Sequence, residues 1–106
     1  MVKRFEVYLV NLDPQPSKDA KNTRPAVIIS PDEMNDNLAN VIIAPLSSTK
    51  VVYPTRLSTE FLNSGRSVIL DQIRSVETVR LVKKIGTIDA KAQKAILAKL
   101  QELFAD

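Results

Sequence analysis

The chain has 106 residues, a net charge of +3, and no Cys, His or Trp. One domain over residues 1–106 is expected at that length. The missing Cys and His exclude a disulfide scaffold, a zinc ribbon, an iron–sulfur cluster, a Cys nucleophile and the commonest general base at neutral pH.

Phe5–Leu12, rich in β-branched and aromatic residues, predicts a first strand. Residues 13–23 carry no large apolar side chain and read as a long exposed loop, a common seat of function. Arg24–Ser30 predicts a buried strand. Ser30-Pro31-Asp32-Glu33 then signals a short helix, with Ser30 as cap, Pro31 in the first position and Glu33 closing a capping box. Asn40–Leu46 predicts a third strand that reaches an edge or leaves the sheet at Pro45, which has no amide proton. Ser47–Lys50 is a hydroxyl-rich loop and Tyr53–Leu57 another short strand. Ser58–Phe61 resembles a brief helical turn, ended by Asn63-Ser64-Gly65. Ser67–Val76 is β-prone, and Arg80–Gly86 adds a final strand. From Asp89 the period becomes helical, with apolar residues at Ala92, Ile96, Leu100 and Leu103, flanked by Leu97 and Phe104. Thr87 or Asp89 can cap this helix. The expected fold class is mainly β, within α+β: a small twisted antiparallel sheet or barrel with a C-terminal α-helix packed on it.

Two Gly leave no Gly-rich phosphate loop. No apolar run suits a signal peptide or a membrane span, so a soluble cytoplasmic protein is expected. Between Ser47 and Lys84, seven basic residues stand against three acidic ones, a balance compatible with a polyanionic partner. Three polar positions adjoin apolar strands: Arg24, Ser47 with Ser48 and Thr49, and Asp71 with Gln72. Side chains at strand ends can converge at one rim of a barrel. Each also has a plainer reading: Arg24 as partner of a carboxylate, the hydroxyls in turn hydrogen bonds, Asp71 bonded to a loop backbone or to Arg74. Residue by residue, the sequence describes a β-rich domain with a candidate anion site.

Four blocks point further. They are Val7–Pro14, Arg24–Pro31, Ile42–Ser48 and Ser67–Val76, followed by the amphipathic helix. In order and spacing they resemble the MazF/PemK toxins, the endoribonuclease halves of bacterial toxin–antitoxin pairs. The resemblance implies a homodimeric barrel of the CcdB/MazF/Kid type that cuts single-stranded RNA without a metal ion or other cofactor. In that chemistry the 2′-hydroxyl attacks the adjacent phosphorus, leaving a 2′,3′-cyclic phosphate and a 5′-hydroxyl. A cognate antitoxin protein would cover the RNA groove.

Arg24 matches the family's catalytic Arg, and its fork suits two phosphate oxygens. Ser47 stands where many members carry a catalytic Thr. Asp71 matches a position with a base or RNA-contact role, and as a base it needs a raised pKa. Asp19 stands where members usually carry a Glu and is the second candidate base. Ser48, Thr49, Gln72, Arg74 and Tyr53 are the candidate RNA contacts, Tyr53 by stacking on a base. The chain departs from the family in having Phe5 where a Gly usually precedes the first strand, and Ser17 and Asp19 for Gly and Glu in the loop. Two other readings remain at this point. One is a CcdB-like gyrase poison, which the lack of Trp and the ending Leu103-Phe104-Ala105-Asp106 disfavour. The other is a non-catalytic RNA-binding module.

Overall fold

The β-branched and aliphatic runs become strands, and the segment with helical period becomes a helix. The computed structural model describes residues 1–13, 22–48, 55–62 and 64–105. In chain order the elements are β1 (Glu6–Asn11), β2 (Thr23–Ile28), α1 (Asp32–Asn37), β3 (Asn40–Ser47), β4 (Arg56–Phe61), β5 (Ser64–Ile69), β6 (Arg74–Glu77), β7 (Leu81–Thr87) and α2 (Ala90–Phe104). Single 3₁₀ turns at Leu70–Gln72 and Thr78–Arg80 flank β6. Every strand pair is antiparallel, in the order β4-β5-β3-β2-β1-β7, and β6 also pairs with β3.

Alternation along the strands sorts the side chains into two faces. Val7, Val27, Ala44, Leu46 and Val68 share one, where α2 covers them with the fully buried Ile96. Val10, Ala26, Ile28, Val41, Ile43 and Val76 form the other cluster. Asp89 caps α2 by accepting the Ala92 amide at 2.8 Å. The sheet curls until its terminal strands touch. A Cβ on Gly86 of β7 would lie 2.6 Å from Cζ of Phe61 at the end of β4, so only Gly lets that ring close the half-barrel.

Four local expectations change. Ser58–Phe61 is not a helical turn but most of β4, paired along its length with β5. Pro45 does not mark an edge, because β3 runs through it with β2 on one side and β5 and β6 on the other. Three steps along β3, from Ile43 to Leu46, are matched by six along its partner, from Arg74 to Val68. The surplus is the 3₁₀ turn Leu70–Gln72, and it stands opposite the residue that has no proton to give to a ladder. Ser30 forms no capping box. It is buried, with Oγ 2.5 Å from Asn35 Oδ1 and accepting the Ile42 amide at 3.0 Å, so it ties α1 to β3, and Pro31 is the cap. Asp71 sits exposed on the 3₁₀ turn rather than inside an apolar strand.

Two further features brace the first strand. Phe5 has φ 73°, the left-handed region that favours Gly, yet its ring is 7% exposed within the main cluster. Its amide donates to Ile28 O at 2.6 Å and its carbonyl accepts from the Ile88 amide at 2.9 Å. Glu6 is also buried, and it meets Lys84 Nζ at 2.5 Å and the Lys3 amide at 2.7 Å. Burial pushes the Glu6 carboxyl up, but Lys84, the Lys3 amide and the Tyr8 hydroxyl together hold it below its ordinary value.

Candidate functional site

The site forms where β3 ends and its neighbours bring in charge. A cleft of about 720 Å³ opens over β1, β2, β3, β5 and the 3₁₀–β6 segment. Val10, Pro25, Ala26, Ile43, Pro45 and Leu46 make its apolar walls. Its polar lining is Arg24, Ser47, Ser48, Arg66, Gln72 and Arg74.

Register explains most of this convergence. Arg24 stands opposite Val10, Ala26 opposite Pro45, and Ile43 opposite Arg74. Arg24, Pro45, Ser47 and Arg74 therefore lie on one face by alternation, although the sequence spreads them over fifty residues. Arg24 is exposed, with Nη1 donating to its neighbour's carbonyl, Thr23 O, at 3.3 Å. Ser47 is half-buried, and Ser48, Gln72 and Arg74 are exposed. The sequence singled out all five of these residues.

Arg66 was missed as a candidate. It pairs with Thr59 next to the Leu57–Val68 pair, so alternation puts it on the core-facing side with Leu46. It lines the cleft nonetheless, and it also lines a second opening with Glu60, Asp89 and the α2 residues Lys91 and Ala92. Its Nε is buried and has no hydrogen-bond partner. A lone Arg between the Asn63-Ser64-Gly65 break and the β-prone run from Ser67 carries no local signal of this.

Among the described residues, no carboxylate lines the cleft, and none lies within 4.0 Å of Arg24, Arg66 or Arg74. Three guanidiniums thus surround one opening with two hydroxyls and an amide. Such an arrangement fits an anion with several oxygens, such as a phosphodiester.

Asp71 lies next to the cleft but is not part of its lining. Its Oδ1 accepts from Thr55 Oγ1 at 3.1 Å and from Arg56 Nε at 3.3 Å, rather than from Arg74. The Arg56 hydrogen bond, with help from Thr55, holds the Asp71 carboxyl below its ordinary value, opposite to the direction a base requires. Asp19, Thr49 and Tyr53 lie outside the described residues. At the end of β1, Arg80 Nη1 donates to Asn11 O at 3.2 Å and also to Asp13 O, and the Leu12 amide donates to Asn22 O at 3.0 Å.

Comparison with known proteins agrees in sequence and in fold. Residues 3–104 match the family model described as PemK-like, MazF-like toxin of type II toxin–antitoxin system. The chain is 34% identical to endoribonuclease MazF9 of Mycobacterium tuberculosis, over 96% of this chain and 92% of that protein. It is 30% identical to endoribonuclease MazF of Staphylococcus saprophyticus, over 91% and 85%. Its backbone superposes with a TM-score of 0.81 on a mycobacterial endoribonuclease solved in complex with its cognate antitoxin, at 21% identity and over 96% and 93% of the two chains.

Proposed function

The chain belongs to the PemK-like, MazF-like toxin family of type II toxin–antitoxin systems, and we propose that its arginine-lined cleft is where it cleaves single-stranded RNA. It is an endoribonuclease and the toxin of its pair. The observation that carries the assignment of the cleft is its three guanidiniums with no carboxylate between them among the described residues.

The reaction needs no group from outside the RNA and the protein. The 2′-oxygen forms a bond to phosphorus, the bond from phosphorus to the 5′-oxygen breaks, and a 2′,3′-cyclic phosphate and a 5′-hydroxyl result. Charge builds on the non-bridging oxygens as the fifth bond forms, and Arg24 with Arg74 meets it. Ser47 donates its hydroxyl proton in a hydrogen bond to a phosphoryl oxygen or to the departing 5′-oxygen. Ser48, Thr49 and Gln72 hold neighbouring sugar or phosphate groups, and Tyr53 stacks on a base. The proton of the 2′-hydroxyl must pass to a base. With its pKa lowered by Arg56, Asp71 is a poor acceptor, and we give it the role of holding the 3₁₀ turn that presents Gln72 and Arg74. Asp19 then takes the base role.

We carry three properties from the family to this chain: one toxin domain over residues 1–106, a homodimer, and inhibition in the cytoplasm by a cognate antitoxin. No helix among the described residues is long and apolar enough to cross a membrane. Leu97 and Phe104 on the outer flank of α2 are 38% and 70% exposed, apolar surface that a second protein can cover. Incubation of the purified protein with a long single-stranded RNA in the presence of a chelator is the test. Discrete cuts ending in 2′,3′-cyclic phosphate are expected, lost when the cut site carries a 2′-deoxy sugar. RNA bound but uncut favours the non-catalytic module; RNA untouched while gyrase-mediated DNA breaks appear favours the gyrase poison.

A further inference from the structure

Arg66 is left without a role by the chemistry above. Its buried Nε is the one buried side-chain polar atom without a hydrogen-bond partner among the described residues. No ligand oxygen reaches that buried atom, but the two terminal nitrogens of the same guanidinium are open to solvent and also have no hydrogen-bond partner among the described residues, so Arg66 can offer them to an acceptor on a ligand in the cleft it lines. Its place in the sheet says which acceptor. Arg24 is on β2 and Arg66 on β5, with β3 between them. Two strand spacings separate the two backbones by about 10 Å. One phosphate does not fill that span, whereas two successive phosphates of a single strand do.

Resting on the reading that RNA occupies this cleft, we propose that Arg66 holds the phosphate next to the scissile one. Its two Nη–H groups close as a fork on two oxygens of that phosphate. Arg66 is a substrate-positioning residue that sets where the strand lies over Arg24 and Ser47, and it takes no part in proton transfer.

The test uses Arg66→Met, which keeps a long apolar stem and removes every donor, and Arg66→Lys, which keeps the charge and removes the fork. Affinity for an RNA carrying a 2′-deoxy sugar at the mapped cut site is measured across a range of salt concentrations. Each phosphate contact to a single strand contributes about 0.7 to the slope of log affinity against log salt. Arg66→Met is expected to make the slope shallower by about 0.7 and to weaken binding about tenfold at fixed salt. Arg66→Lys is expected to keep the wild-type slope with a smaller loss. Melting temperatures of both variants should equal or exceed the wild type, since the unpaired buried donor is gone. Arg66→Met with the wild-type slope overturns the proposal. So does a fall in melting temperature that accompanies the weaker binding, because it makes the residue structural. Failure of the wild-type protein to bind or cut RNA would instead remove the endoribonuclease reading itself.

Discussion

Replacing Phe5 by Ala and by Gly separates two opposed effects at one residue. The backbone there has φ 73°, held by the Ile28 and Ile88 hydrogen bonds, and a side chain with a Cβ costs about 1 kcal/mol in that region. The ring is 7% exposed in the main cluster, and truncating a buried Phe costs about 3–5 kcal/mol. Phe5→Ala loses the ring and keeps the strain. Phe5→Gly loses the ring, relieves the strain and gives part of the gain back to the freer unfolded chain. Both variants should be less stable than wild type, Ala by about 4 kcal/mol. Gly should be the more stable of the two by about 0.5 kcal/mol, or about 3 °C in melting temperature, the reverse of the usual order. Urea and thermal melts followed by circular dichroism measure both differences. Ala as stable as Gly would refute the left-handed strain, and variants as stable as wild type would refute the contribution of the ring.

Three other perturbations test separate parts of the molecule. Gly86→Ala drives a Cβ to 2.6 Å from the Phe61 ring and should cost about 1–3 kcal/mol in urea melts; Phe61→Leu should recover part of that cost in a double-mutant cycle, and simple additivity would contradict the contact. The Glu6 carboxyl is lowered in the folded protein, so its contribution is complete at neutral pH and is lost as pH falls through that lowered value. The melting temperature of wild type should therefore drop more steeply on acidification than that of Glu6→Gln, and parallel curves would deny the ion pair with Lys84. Asp71→Asn should leave the acid limb of the pH–rate profile in place while Asp19→Asn removes it; the reverse result would return the base role to Asp71.

The fold was largely legible in the sequence because its signals are local. The β-branched runs around Val7, Val27, Ile43 and Val68 became strands, and the 3.6-residue spacing of Ala92, Ile96 and Leu100 became the helix on the core. The differences arise where pairing over long range overrides local preference. Arg56–Phe61 is polar and hydroxyl-rich, and it is extended because all six of its residues pair with β5. Asp71 is exposed because the partner of β3 takes three extra residues opposite Pro45, and that mismatch exists only between two strands. The five polar residues Arg24, Ser47, Ser48, Gln72 and Arg74 stand at strand ends or next to apolar runs, so their approach to one cleft could be expected. Arg66 could not be picked out, since alternation assigns it to the core side and only the folded chain shows it lining the cleft without a carboxylate partner among the described residues.

RNA, on this reading, is cut where Arg24 meets the phosphate. The most direct test is the cleavage rate of Arg24→Ala against wild type on one single-stranded RNA under saturating substrate, with melting curves recorded for both. Arg24 is exposed and donates only to a neighbouring carbonyl, so the fold should survive the change. A loss of about 10²–10³-fold in rate at an unchanged melting temperature is the expected result. A variant that cuts at the wild-type rate would contradict the account and move the chemistry away from this cleft.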